Sequence, residues 1–290
     1  MIRVGVAGWD YADWNGLVYP AGAGRGLDRL AYLAALVDTI EINSTFYRPV
    51  RGQVAESWVR RVESLEDFLF TAKAHRSWTH ARELDTAVDV PATLDGLHPL
   101  REAGRLGAVL VQFPQSTHWG PTARDRLDRI AAAAAGWPLV VEVRHRSWAD
   151  AAVPEWFRRR RLAWCWIDQP RVGGSTLGGI ERVTAEPAYM RLHGRNAADW
   201  FRPDAGRDAR YDYLYSAAEL DRLLPTARAM EAQTQLLFIV QNNHFRGKAL
   251  VNALQLKRQL HGTPPPAPAT LVAAYPELAA SVIERRDGLF

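Results

Sequence analysis

Eight short apolar runs, each separated from the next by a stretch with helical spacing, limit this chain to very few folds. The runs are 2–8, 38–43, 67–75, 106–113, 138–144, 162–168, 187–193 and 236–242. Each has a core of Val, Ile, Leu, Phe or Ala bounded by turn residues, which fits a strand buried on both faces better than a helix. Helical patterns fill 27–36, 53–61, 93–104, 122–136, 154–160, 217–232 and 247–261, while the interval 169–186 is Gly-rich and holds no clear helix. A strand followed by a helix, repeated, means a parallel sheet with right-handed crossovers. Eight such strands favour closure into an α/β barrel, a single (β/α)8 unit of the TIM type. The alternative, an open doubly wound sheet, lacks a Gly-x-Gly-x-x-Gly turn after the first strand.

The barrel is expected over 1–262 and a tail over 263–290. The tail opens with the stiff, extended segment Thr263-Pro-Pro-Pro-Ala-Pro268 and continues into an apolar stretch, 271–283, expected to pack back as a final helix. Neither an internal repeat nor a second domain is read. The chain's 290 residues suit one barrel with its loops, and the 48% apolar content is ample for the core.

A formal charge of +4 permits an anionic partner without demanding one. The longest basic run, Arg158 to Arg161, falls at a helix end, where cations suit the helix dipole. The single cysteine, Cys165, lies inside an apolar run and reads as a buried strand residue. With the first strand starting at Ile2 and no long apolar stretch, a cytoplasmic protein without a membrane partner is expected.

Polar residues recur near the C-terminal ends of the strands. Glu41 and Asn43 belong to the second, Lys73 and His75 to the third, Gln112 to the fourth, and Glu142 and Arg144 to the fifth. Asp168 ends the sixth, Arg191 and His193 the seventh, and Gln241-Asn242-Asn243 the eighth. Four of these pairs are spaced by two, which puts both members on one face, most simply the barrel interior near its top, where such barrels assemble active sites. Three acids (Glu41, Glu142, Asp168) balance three bases (Lys73, Arg144, Arg191), so a structural ion network is the competing account. After the first strand comes an aromatic loop with Trp9, Tyr11, Trp14 and Tyr19, a wall for a flat ligand or a plug for the barrel mouth. The stretch from Trp200 to Tyr215 reads as a long seventh loop, a lid or an ordered surface segment.

Several motifs in order resemble one family. They are Gly8-Trp9-Asp10-Tyr11, Glu41-Ile-Asn43-Ser-Thr45-Phe46-Tyr47, Phe70-x-x-Lys73-Ala-His75, Gln112-Phe113-Pro114, Glu142-Val-Arg144, Arg191-Leu-His193-Gly194-Arg195 and Asn242-Asn243-His244. Together, over about residues 2–260, they look like the YecE-like family, the "domain of unknown function 72". The resemblance implies a TIM-type barrel and supplies no reaction. Gln241 departs from the aromatic residue common before the Asn-Asn pair.

The first functional expectation is hydrolase- or lyase-type acid–base chemistry on a small phosphate- or carboxylate-bearing substrate. Glu142, Glu41, His193 and Asp168 are the candidates for proton transfer. Trp9, Tyr11, Asn43, Lys73, His75, Gln112, Arg144, Arg191 and Asn242 are the candidates for binding, with Lys73 and the arginines holding the anion. The alternatives are a metal-dependent nuclease or isomerase resembling endonuclease IV, a nucleic-acid binder, and a non-catalytic module for a ligand or protein. Three cations among the carboxylates argue against a metal, and no His-x-His or His-Glu-x-x-His spacing occurs, so no cofactor is expected.

Overall fold

A computed structural model describes residues 1–285 apart from 23, 173, 174, 181, 203 and 205. The expected tail therefore extends beyond the described residues at 286–290, and parts of the Gly-rich interval and the seventh loop lie outside them.

Eight parallel strands close into a barrel in sequence order: β1 (Ile2–Ala7), β2 (Thr39–Ile42), β3 (Leu69–Lys73), β4 (Leu106–Gln112), β5 (Leu139–Glu142), β6 (Ala163–Asp168), β7 (Ala188–Leu192) and β8 (Leu237–Gln241). Closure is made by β1 against β8, with Val6 opposite Gln241. All eight strands correspond to the eight apolar runs. The helices are α1 (Arg29–Ala34), α2 (Ser44–Tyr47), α3 (Gly52–Arg61), α4 (Asp89–Glu102), α5 (Pro121–Ala133), α6 (Val153–Arg159), α7 (Arg207–Arg210), α8 (Ala217–Glu231) and α9 (Lys248–His261). Two of them, α2 and α7, are single turns too short to leave a periodic trace. No helix among the described residues is long and apolar enough to cross a membrane.

The barrel needs close approach in its lower half. A bulge lies between β3 and β4 at Phe70/Thr71, and a Cβ on Gly107 would stand 2.2 Å from the Phe238 ring. Only glycine admits that ring to the interior. Cys165 is fully buried in β6, and burial pushes its thiol well above the usual range.

The tail differs from its expectation. Instead of one helix it forms a turn of helix, α10 (Ala269–Ala274), then a 3-10 segment over Pro276–Ser281. Its proline stretch is extended, as expected, and is also paired: β9 (Pro266–Pro268) runs parallel to β10 (Ile283–Arg285), and Ala267 is buried. Proline suits a strand whose N–H groups face no partner.

A short repeat is also present, although none was read from the sequence. His-Arg-Ser-Trp occurs at 75–78 after β3 and again at 145–148 after β5. Both copies fold alike. His75 Nδ1 lies 2.9 Å from Ser77 Oγ, and His145 Nδ1 lies 3.0 Å from Ser147 Oγ. The indoles of Trp78 and Trp148 are fully buried and donate to the carbonyls of Asp89 and Thr117. The motif is a wedge that pins a loop to the barrel rim.

Candidate functional site

Period-two alternation aims Glu41, Lys73, Glu142, Arg144, Arg191 and His193 into the upper barrel. Paired strands keep opposite residues on one face, and Glu142 stands opposite Gln112. At the centre lies Arg191, 1% exposed. Its two terminal nitrogens fork between carboxylates, Nη2 donating to Glu41 Oε1 at 2.7 Å and Nη1 to Glu142 Oε2 at 2.5 Å. Arg144 donates to the other oxygen of Glu142 through Nε at 2.7 Å. Tyr189 donates to Glu41 Oε2 at 3.0 Å and shares a 2.7 Å hydrogen bond with Thr71. Both glutamates are fully buried. Burial alone would raise the carboxyl of Glu142, but Arg191 and Arg144 outweigh it and hold the group well below the usual carboxylate range.

Asn242 settles the state of His193. Its carbonyl oxygen accepts from Arg191 Nη2 at 3.2 Å, so its amide nitrogen faces His193 Nδ1 at 3.0 Å as the donor. Nδ1 therefore accepts, and the proton of the neutral ring sits on Nε2, which is 3.3 Å from Glu142 Oε1 and off hydrogen-bond geometry. Burial, with Arg144 and Arg191 nearby, lowers the imidazole to about 3 against the pull of Glu142, so the ring stays neutral.

Above this layer opens a cavity of about 390 Å³. Trp9, Tyr11, Tyr47, Tyr211 and His244 give it aromatic walls; Asp10, Asn43, Ser44, Lys73, Gln112, Arg191 and Asn242 give it polar atoms. Gly8, at φ +77°, turns the chain out of β1 so that Tyr11 donates back to Ala7 O at 2.6 Å and stacks on His244 at 4.5 Å. Trp14 and Tyr19 of the same loop are buried plugs, so the loop divides between the two roles its sequence left open.

Lys73 differs from every other cation of the site. Among the described residues no carboxylate lies within 4.0 Å of its amine; Nζ sits instead 4.1 Å above the Phe46 ring of α2. Thr45 of the same turn donates to Lys73 O at 2.6 Å, fixing the backbone under the side chain. Burial and the neighbouring Arg191 lower the amine from 10.5 to about 7, against the more distant pull of Glu41 and Glu142.

Of the residues nominated for binding, Trp9, Tyr11, Asn43, Lys73, Gln112, Arg191 and Asn242 line this cavity. Arg144 lies behind it, between Glu142 and the Trp200 ring. His75 is committed to its rim turn, accepting from Ser77 N at 3.3 Å. None of the four residues nominated for proton transfer is in the wall. Glu41, Glu142 and His193 lie beneath it. Asp168 is elsewhere: it shares a strand face with Trp164, which packs on Phe157 of α6, and it accepts from Arg195 Nε at 2.8 Å. Arg195 also reaches Glu219, which closes the capping box of α8 with Ser216 and accepts from Tyr213. Burial raises the Asp168 carboxyl despite Arg195. Tyr211 and His244 were missed as wall residues because they sit on loops brought together only by the closed barrel. No three His, Cys, Asp or Glu side chains come together as metal donors among the described residues.

Residues 3–272 match the family described as "Protein of unknown function DUF72". The chain is 27% identical over 277 residues to the UPF0759 protein YunF of Bacillus subtilis, covering 88% of this chain and 93% of that one. A crystal structure of a DUF72 family protein from Thermotoga maritima superposes with a TM-score of 0.79 at 31% identity, covering 90% of this chain and 99% of the other. A DUF72 family protein from Enterococcus faecalis shares the fold with a TM-score of 0.78 at 24% identity, covering 90% and 96%.

Proposed function

The chain belongs to the DUF72 family, and from that premise we propose that it is an enzyme for a small anionic substrate, bound in the cavity above the strand ends and changed by lyase- or hydrolase-type proton transfer. One observation carries the proposal: Lys73 is a cavity-wall cation that, among the described residues, no carboxylate neutralises within 4.0 Å. A phosphate or carboxylate group would supply the missing charge. The amides of Asn43, Gln112 and Asn242 line the same cavity and offer hydrogen bonds, and its aromatic walls offer flat apolar faces.

The proton-transfer role passes from the buried carboxylates to Lys73. Glu142 is ionised and its oxygens are engaged by two arginines, so it makes a poor base. An amine near pH 7 is half-protonated at working pH and serves in either direction. Arg191 is the floor: its charge is matched by Glu41 and Glu142, and it stiffens the cavity.

Thermal-shift titration with inorganic phosphate, glycolate and phosphoglycolate tests this reading. The wild type should be stabilised by at least one of them, and Lys73→Met should lose that response while keeping its fold. An equal response in the variant would remove Lys73 from the site, and with it this proposal.

A further inference from the structure

Three of the chain's 36 basic residues are lysines. Lys248 is ion-paired to Asp212, and Lys257 lies 2.7 Å from Asp38. The third, Lys73, stands in the cavity wall without a carboxylate within 4.0 Å among the described residues, in a chain whose positive charges are nearly all arginine. An anion site needs only a cation, and arginine holds carboxylates and phosphates better through its fork. What lysine offers and arginine does not is an amine that can lose its proton and form a bond to carbon.

We propose that Lys73 is a covalent nucleophile, whose ε-amine condenses with the carbonyl carbon of a small anionic aldehyde or ketone of the oxo-acid class. This rests on the reading of the cavity as a small-anion site. The geometry meets the needs of the step. The amine is held on the Phe46 face, 4.1 Å from its centre, and its strand end is tied down through Thr45. Arg191 beside it disfavours a second positive charge, as a neighbouring cation does for other nucleophilic lysines. The groups acting on the amine are Arg191 from β7, Glu41 from β2, and Glu142 and Arg144 from the end of β5; His80, from the loop after β3, is itself lowered by burial and by Lys73, and Asp10 of the same cavity wall is paired with Arg29. Their balance, with burial, leaves the amine half-neutral near pH 7.

In the step, the nitrogen lone pair forms the C–N bond and the carbonyl oxygen takes up a proton. The carbinolamine then loses the oxygen as water, leaving an imine. Once protonated, the imine draws electrons from a C–H bond on the neighbouring carbon, or from the C–COO⁻ bond there in a 3-oxo acid; the proton passes to solvent or the carboxylate leaves as CO2, and the enamine so formed takes a proton on carbon to restore the iminium. Hydrolysis then returns the free amine and the carbonyl product. No external oxidant or reductant is needed.

The test is competitive labelling of the folded wild-type protein by glyoxylate, and separately by pyruvate, with cyanoborohydride to reduce any imine. Peptide mapping then reads the three lysines and the N-terminus separately. Lys73 should be labelled at least about tenfold faster than Lys248 or Lys257 at pH 7, with a midpoint near that pH, because burial and Arg191 lower its amine to about 7 while the other two are held in ion pairs. Lys73 labelled no faster than the other two, or only above about pH 9, would overturn the proposal. Lys73→Arg keeps the charge and separates the two readings. If it retains stabilisation by phosphate or glycolate but gives no adduct at residue 73, while the wild type gives one, both readings stand. If the wild type is stabilised by those anions yet gives no Lys73 adduct, the covalent step fails and the anion site survives. If no anion stabilises the wild type, the cavity reading itself fails.

Discussion

The two sides of the barrel mouth treat positive charge in opposite ways. Toward β5 and β7, Arg191 is locked to Glu142 and reaches across the barrel to Glu41 of β2, and Arg144 closes the remaining oxygen of Glu142. Toward β2 and β3, Lys73 has an aromatic face in place of a counter-ion and opens on the cavity. The first arrangement is a matched network whose parts depend on one another; the second holds a cation where the fold would be better off without it. Buried ions are tolerated when paired and are costly when not. The contrast separates a self-compensating part of the mouth from an uncompensated one, and it gives the two sides opposite thermodynamic signatures.

The largest effect should come from breaking the matched side. Arg191→Met leaves two buried carboxylates without their shared partner and should cost about 3–5 kcal/mol in urea denaturation. A loss under about 1 kcal/mol would show that the network is not needed for the fold. Glu142→Gln should cost less, about 2–3 kcal/mol, since Arg191 keeps Glu41 and Arg144 is partly exposed. Its pH signature has a definite sign. The Glu142 carboxyl is held below its usual value in the fold, so its contribution is complete above the ordinary carboxylate range and disappears as pH falls through the lowered value. Stability measured by urea denaturation between pH 7 and pH 3 should therefore fall less steeply for the variant than for the wild type.

The open side should respond in the other direction. Lys73→Met should stabilise the protein by about 1–2 kcal/mol at pH 6 while abolishing the anion response. The amine is at about 7 in the fold against 10.5 unfolded, so its cost is full below pH 7 and vanishes as pH rises to the unfolded value. The gain should shrink accordingly toward pH 10. A loss of stability at pH 6 would erase the contrast between the two sides. The smallest effect concerns the twin rim turns: Ser77→Ala and Ser147→Ala should each cost about 1 kcal/mol. A markedly larger loss for Ser77, beside the lysine strand, would extend the site into that turn.

Local pattern carried much of this molecule. The eight strands followed from apolar runs and turn residues, and alternation alone put Glu41, Lys73, Glu142, Arg191 and His193 in one layer. The same alternation, applied to β6, puts Asp168 on the face of Trp164 and Trp166, which packs against helix; the parity was legible, and which face points inward had to come from the closed sheet. The identities of the partners were not legible. That Arg191 forks between two glutamates while Lys73 stays alone depends on side-chain reach across the barrel, as does the meeting of Tyr211 and His244 from separate loops. The three lysines among 36 bases lay open in the sequence, but their meaning came only when two proved paired and one did not.

The turn formed by Ser44–Tyr47 has a consequence for how the cavity can be changed. It supplies both the hydroxyl that grips the carbonyl of Lys73 and the ring beneath the amine, within one four-residue unit joined directly to β2. The loops after β7 and β8, which bring Tyr211 and His244 to the opposite wall, have no part in that grip. The wall made by Tyr211 and His244 and the seat of the amine are thus built by separate segments of the chain. A change confined to one of these segments can alter one wall of the cavity and leave the position of the amine untouched.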